Sequence, residues 1–260
     1  MQATAGPAVV PREGLEPSRH HWHRILSPAR LPVPPPRRAE KDLSIPAMEL
    51  SRIHLTRDQS PVFRDLSLSF DESRIGLIGE NGSGKSSLLR LMKGLMTADS
   101  GVIHRPGSVG IVFQNPEHQL LFPTVMEELC FGLRERGHSE QQARFRAQEV
   151  LRDFGALELE SRAIHELSDG QKQLLCLFGV LVDGADTVLL DEPCASLDLA
   201  SRNKVMRIIE SLPQQVIMAT HDLELLQDFP RVVWLHQGQV QADGSADVVI
   251  SAYRRHVQSE

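Results

Sequence analysis

The chain has 260 residues, 41% apolar and 24% charged, with a formal net charge of -6. That is enough apolar material for one substantial core with room for a subdomain. The longest purely apolar runs, such as Leu174 to Phe178, are far short of the roughly 20 residues of a membrane-spanning helix, so any role at a membrane must come through a partner. The negative charge provides no global field for nucleic acid, and Cys130, Cys176 and Cys194 show neither zinc-ligand spacing nor a small disulfide framework; they read as reduced, mostly buried thiols of a cytoplasmic protein.

Residues 1–47 hold nine of the sixteen prolines and carry +3, leaving -9 for the remainder. This composition predicts a disordered Pro/Arg-rich extension, interrupted too often by proline and arginine to serve as a signal peptide. His20, His21 and His23 within it are expected to hold no ordered metal. Met48 opens the first patterned segment and is a candidate start of translation, so the folded domain is expected to span 48–260.

Beyond Met48, short β-branched or Leu-rich runs alternate with helical patterns, which predicts an α/β fold whose sheet is joined by helical crossovers. Strands are expected near 49–55, 64–70, 74–78, 109–113, 187–190, 215–219 and 231–236, with helices in the intervals. Over Glu140 to Phe154, the residues Ala143, Ala147, Val150, Leu151 and Phe154 line one face at a period of 3.6. A second helix beginning near Gln171 is apolar almost all round and should be buried. No internal repeat is evident.

The strand Ile75 to Ile78 runs into Gly79-Glu80-Asn81-Gly82-Ser83-Gly84-Lys85-Ser86, followed by Ser87 and a helical pattern. This is a phosphate-binding loop in its required strand-to-helix context. Its glycines let consecutive N–H groups turn toward a β-phosphate, and the helix N-terminus adds partial positive charge. Lys85 is expected to bridge β- and γ-phosphate oxygens of ATP, and the Ser86 hydroxyl to take one position on Mg²⁺. A plain Gly-rich turn capping a helix would not require Lys-Ser at its end. Farther on, the apolar strand Val188-Leu189-Leu190 ends in Asp191-Glu192, two carboxylates that are costly at a buried edge unless they meet a cation or polar substrate. Asp191 is the expected magnesium partner and Glu192 the general base that polarises the attacking water.

Leu167-Ser168-Asp169-Gly170-Gln171 resembles the L-S-G-G-Q signature of the ABC ATPases, and it lies upstream of Asp191-Glu192 as in that family. The resemblance covers about Met48 to Asp243. It implies a P-loop ABC ATPase core with a mainly parallel sheet, an N-terminal antiparallel β-subdomain and a small helical subdomain over about 115–182. It further implies that Ser168, the Gly170 amide and Gln171 meet the γ-phosphate held by the Lys85 loop of a facing subunit, so that two chains sandwich two nucleotides, as a homodimer or as a heterodimer with a relative. Gln114, at a strand end, resembles the glutamine that touches magnesium and the water. Ser196-Leu197-Asp198 resembles the loop that signals across the dimer, and His221 resembles the histidine that holds the γ-phosphate. Taken singly, Gln114, Asp198 and His221 read as ordinary strand-end or helix-start residues; their order along one chain carries the resemblance.

Two positions depart from the family pattern. Asp169 puts a carboxylate where glycine is usual, and it is expected to point away from the anionic nucleotide. Where the family stacks adenine on an aromatic residue, register with Pro61-Val62 places Thr56 or Arg57; Arg57 is the candidate, through its guanidinium plane.

The run Asn115-Pro116-Glu117-His118-Gln119-Leu120, with Glu127-Glu128-Leu129 beyond it, resembles the A-components of energy-coupling-factor importers for metal ions and vitamins. The resemblance implies a groove for a coupling helix of a transmembrane subunit, with Glu117 and Gln119 as docking residues, and a place at the cytoplasmic face of the membrane. The ATPase of a conventional ABC transporter is the next reading. A soluble ABC ATPase acting on DNA or ribosomes shares the nucleotide motifs, but the segment between Gln114 and Leu167 contains no heptad run and the cassette is acidic, so no nucleic-acid partner is expected. The presence of Lys85, Asp191, Glu192 and His221 together argues against an inactive regulatory subunit.

Overall fold

A computed structural model describes residues 47–259. The expected Pro/Arg-rich extension, with its histidines, lies outside the described residues apart from Ala47.

The chain begins with β1 (Met48–Arg57) and β2 (Ser60–Phe70), paired antiparallel. Their turn, Asp58-Gln59, has φ of 48° and 63°, the left-handed pair that matches the twist of a hairpin. Next come β3 (Arg74–Ile78), α1 (Lys85–Lys93), β4 (Ser100–His104) and β5 (Val109–Val112). A short 3₁₀ turn at Pro116–His118 precedes α2 (Val125–Glu135), α3 (Glu140–Asp153) and α4 (Asp169–Val182). The remainder is β6 (Thr187–Asp191), α5 (Leu199–Ser211), β7 (Gln215–Ala219), β8 (Arg231–His236), β9 (Gln239–Gly244) and α6 (Ala246–Ser259).

These strands form two sheets. One has the order β2-β1-β4, all antiparallel; the other has the order β5-β6-β7-β3-β8-β9, parallel except for β9 at its edge. Every residue of β6 and β7 is buried, as a parallel strand covered on both faces must be, which is why these segments read as continuous apolar runs. One core cluster joins the small sheet, α1 and one side of the large sheet through Phe63, Phe70, Leu89 and Leu189. The other joins the opposite side to α2, α3, α4, α5 and α6 through residues such as Phe178, Leu190 and Ile209.

The expectation of strands separated by helices does not hold throughout. The gap between β1 and β2 is a two-residue turn, and β4 and β9 are strands that the pattern did not announce. Both are edge strands without a clean apolar face: β4 carries Ser100 and Gly101, and β9 alternates exposed with half-buried residues. A strand buried on neither face leaves little periodic signal. By contrast, the expected period-3.6 helix is α3, closed at its start by a Ser139–Gln142 capping box.

Phe178, on α4, is fully buried and stacks on Phe154 with ring centroids 5.6 Å apart. Phe178→Ala should lower unfolding free energy by about 3–5 kcal/mol, read from the midpoint of urea denaturation at unchanged slope.

Candidate functional site

Strands β3, β6 and β7 bring the chemistry to one edge. Pairing is parallel and flush: Leu77 lies opposite Ala219, and Ala219 opposite Asp191. The residues that follow each strand, Gly79 onward, Asp191-Glu192 and Thr220-His221, therefore emerge side by side. They border a cleft of about 580 Å³ lined by Gly79, Glu80, Asn81, Gly82, Gly84, Lys85, Ser86, Ser87, Gln114, Asp191, Glu192 and His221, together with Val62 and Tyr253.

The loop needs glycine at its two ends. A Cβ on Gly79 would sit 2.1 Å from the Leu235 carbonyl oxygen, and one on Gly84 would sit 2.7 Å from the Phe63 ring. Both residues also have positive φ, 145° and 107°. Lys85 is buried, and its ammonium donates to the main-chain oxygens of Gly79 at 2.6 Å and Glu80 at 3.0 Å. Burial lowers its pKa, against the opposing pull of Glu192, Asp191 and Glu80. An ammonium held this way inside an anion-binding loop is available to phosphate oxygens with little additional desolvation.

Ser86 donates its hydroxyl to Asp191 Oδ1 at 3.0 Å. The Asp191 carboxyl is buried, and desolvation pushes its pKa up although the Ser86 hydrogen bond opposes this. These converging oxygens, with negative charge short of compensation, form a hard donor set of the kind that suits Mg²⁺. Next along the chain, Glu192 has φ of 51°, a left-handed conformation uncommon outside glycine and costing about 1–2 kcal/mol. Its backbone N–H donates to Ala219 O at 2.9 Å, and its Oε2 accepts from the Thr220 hydroxyl at 3.2 Å and meets His221 Nδ1 at 2.9 Å. The turn thus aims one carboxylate into the cleft between a hydroxyl and an imidazole.

Six expected site residues lie elsewhere. Ser83 turns inward: it is buried and lines no part of the cleft. Arg57 is exposed at the end of β1 and does not line the cleft either; Tyr253, from α6, is the aromatic side chain that does. Asp198 caps α5, accepting from Ser201 N at 2.9 Å and the Ser201 hydroxyl at 3.1 Å. Those bonds lower its pKa. Ser168, Gly170 and Gln171 line a separate cavity of about 240 Å³ with Ser201 and Lys204. Ser168 and Gln171 form a reciprocal capping box at the start of α4, and Gly170 packs so closely on α5 that a Cβ would come within 2.7 Å of Ser201. Asp169 is exposed and lines neither cavity.

Gln119 is half-buried, and its amide accepts from Phe113 N and donates to Ile111 O, both at 3.3 Å, so it fastens the end of β5. Glu117 remains exposed and pairs with Lys172 of α4. Burial pushes the Cys176 thiol up to about 12 and Cys194 up to about 11, so neither is a nucleophile at neutral pH.

The family model for ABC transporters matches residues 63–195, from β2 through the Asp191-Glu192 edge. The chain belongs to the ABC transporter ATP-binding family. It is 40% identical over 219 residues to a biotin transport ATP-binding protein BioM of Rhodobacter capsulatus, covering 80% of this chain and 94% of that protein. It is 41% identical to the BioM of Rhizobium etli over 73% of this chain and 89% of that one. Among solved structures, cbiO1 of Clostridium perfringens, part of the ABC transporter complex cbiONQ, superposes with a TM-score of 0.71 at 26% identity, covering 78% of this chain and 90% of that one. The activity of this ABC ATPase is ATP hydrolysis coupled to transport.

The burial of Asp191 has a measurable consequence. Its folded pKa lies above the unfolded value, so the folded state binds the proton more tightly and stability falls as pH rises from the unfolded to the folded value. Asp191→Asn removes that titration. Without ligand at neutral pH the variant should melt higher, by on the order of 2–4 °C, with the gap closing toward acid pH in a series of thermal melts.

Proposed function

We propose that this chain energises an importer of the energy-coupling-factor type by closing on a second ATP-binding subunit, either another copy or a relative. The observation that carries the sandwich is the division of the site: the Ser168 turn lines one cavity and the Lys85 cleft is another, with no residue in common. A γ-phosphate in the cleft reaches a Ser168 turn only if a facing chain supplies it. The importer reading rests on the two BioM relatives, named for biotin transport, and on cbiO1; biotin is the first solute to test, with other vitamins or metal ions next.

In this reading the loop amides and Lys85 bind the triphosphate. Ser86 and Asp191, with Gln114 beside them, would hold Mg²⁺, which when bound neutralises charge on the phosphoryl oxygens. Glu192 polarises the attacking water, and His221 orients Glu192 while facing the γ-phosphate. Tyr253 takes the place assigned to an aromatic on the first-strand loop and flanks the adenine. ATP favours the closed pair by the contacts it makes to both chains, and hydrolysis removes them. The folded ATPase domain is 48–260, and its 115–182 portion carries the surface for the membrane subunit. Support for that surface comes from Leu121, 74% exposed, and from the Phe122–Phe131 ring pair at 4.9 Å beside the start of α2. No helix among the described residues is long and apolar enough to cross a membrane, so attachment at the cytoplasmic face runs through the partner.

Glu192→Gln should retain ATP binding, lose about 10²–10⁴-fold in turnover, and accumulate as a closed pair in Mg-ATP, observed by light scattering on the assembled complex. Unchanged turnover would refute the base assignment. Tyr253→Ala should raise the KM for ATP about five- to tenfold, a larger effect than Arg57→Ala produces; the reverse ranking would return the adenine contact to the first-strand loop.

A further inference from the structure

Beside the nucleotide cleft, three elements bring together a second set of donors. Glu80 is the second residue of the phosphate loop, His236 ends β8, and His256 lies on α6. One ligand atom from each lies within 4.8 Å of the others, and all three residues are half-buried. The two imidazoles meet edge to face, centroids 5.1 Å apart at 82°. His256 Nε2 is 3.9 Å from Glu80 Oε1, longer than a direct hydrogen bond and within a small adjustment of the separation between two ligands of one ion. Trp234 packs against both imidazoles, with centroids 5.0 Å from His256 and 6.3 Å from His236, and Tyr253 meets Trp234 edge to face at 5.3 Å. The rings are thereby positioned by packing instead of waving in solvent.

We propose that Glu80, His236 and His256 form a binding site for a borderline first-row divalent cation, Zn²⁺ being the representative, and that the bound ion clamps α6 to the phosphate loop. Two imidazoles and a carboxylate, with a position left open, are a zinc donor set, whereas Mg²⁺ favours oxygen alone. The site is thus chemically separate from the Ser86–Asp191 pair. Its place explains what it does. The Glu80 main-chain oxygen is one of the two that hold the Lys85 ammonium. His256 lies three residues after Tyr253, on the same face of α6, and Tyr253 lines the nucleotide cleft. Fixing the Glu80 and His256 side chains therefore limits the loop and the helix that border the nucleotide. Cation binding is independent of the importer reading; its coupling to ATP rests on the cleft being the nucleotide site.

The test uses the full chain without a polyhistidine tag. His20, His21 and His23 are changed to Ala, so that the extension contributes no imidazole, and Trp22→Phe leaves Trp234 as the sole indole. Titration with Zn²⁺ should give one saturable site per chain by calorimetry, with a change in Trp234 fluorescence at the same midpoint. His236→Gln and His256→Gln should each weaken binding at least about tenfold, while millimolar Mg²⁺ should not compete. ATP binding by the two variants monitors their folding, and Glu80→Gln provides a third lesion if either one misfolds. Zn²⁺ should shift the ATP dissociation constant in the parent and leave that of His256→Gln unmoved. Absence of saturable Zn²⁺ binding, binding indifferent to all three lesions, or equal competition by Mg²⁺ would each overturn the site. Zn²⁺ binding without any shift in ATP affinity would overturn the clamp.

Discussion

The pairing of β7 with β3 on one side and β6 on the other is the constraint on which this molecule depends. Ala219 lies level with both Leu77 and Asp191, so the loop that curls round phosphate, the carboxylate pair and the Thr220-His221 step all leave the sheet at one height. In a parallel ladder a slip of one residue reverses which face each side chain meets. Such a slip in β6 would send Asp191 away from Ser86 and redirect Glu192. The register is protected by strands in which every residue is buried, covered on both faces by two core clusters. Core packing and site geometry are thus one requirement expressed twice.

Around that edge the protein concentrates groups that are individually unfavourable. Lys85 is buried with its ammonium on main-chain oxygens, Asp191 is ionisable in a place that disfavours its charge, and Glu192 adopts a left-handed backbone. Each is offset locally: by carbonyl acceptors, by the Ser86 hydroxyl, and by the Ala219, Thr220 and His221 contacts. In the proposed reading, phosphate would supply complementary charge to Lys85, and a cation would do so to Asp191. Local destabilisation of this kind is characteristic of sites whose binding energy is meant to reorganise the protein.

Much of this was legible in the sequence, for physical reasons that differ from one element to the next. The interior strands announced themselves because burial on both faces demands unbroken apolar runs, and Gly79 to Ser86 did so because close backbone approach tolerates only glycine at its ends. What escaped were features set by tertiary proximity. Tyr253 reaches the cleft from a helix more than 160 residues beyond Lys85, and no local pattern signals that approach; only its standing as the single tyrosine of the chain marked it. Position along β1 points to Arg57, but at the hairpin turn it is exposed and outside the cleft. Gln119 has the spacing of a docking residue, and its bonds to the backbone at the end of β5 are set by tertiary proximity. Edge strands β4 and β9 left no alternation to read because neither has a fully buried face.

The separate Ser168 cavity bears on how such a site uses its energy. Within one chain, Ser168 and Gln171 are engaged in capping α4, and Gly170 is pressed against Ser201 of α5, whose own N-cap is Asp198. The two helix starts therefore form one closely packed corner, with only the Ser201 side chain between them at Gly170. If a facing chain presents this corner to a γ-phosphate, as proposed, the phosphate meets an α-helix N-terminus that is already capped and cannot rearrange, so its contribution depends on the distance between chains and little else. In that proposed arrangement, a corner packed this closely would turn the loss of one phosphoryl group into relative movement of two chains.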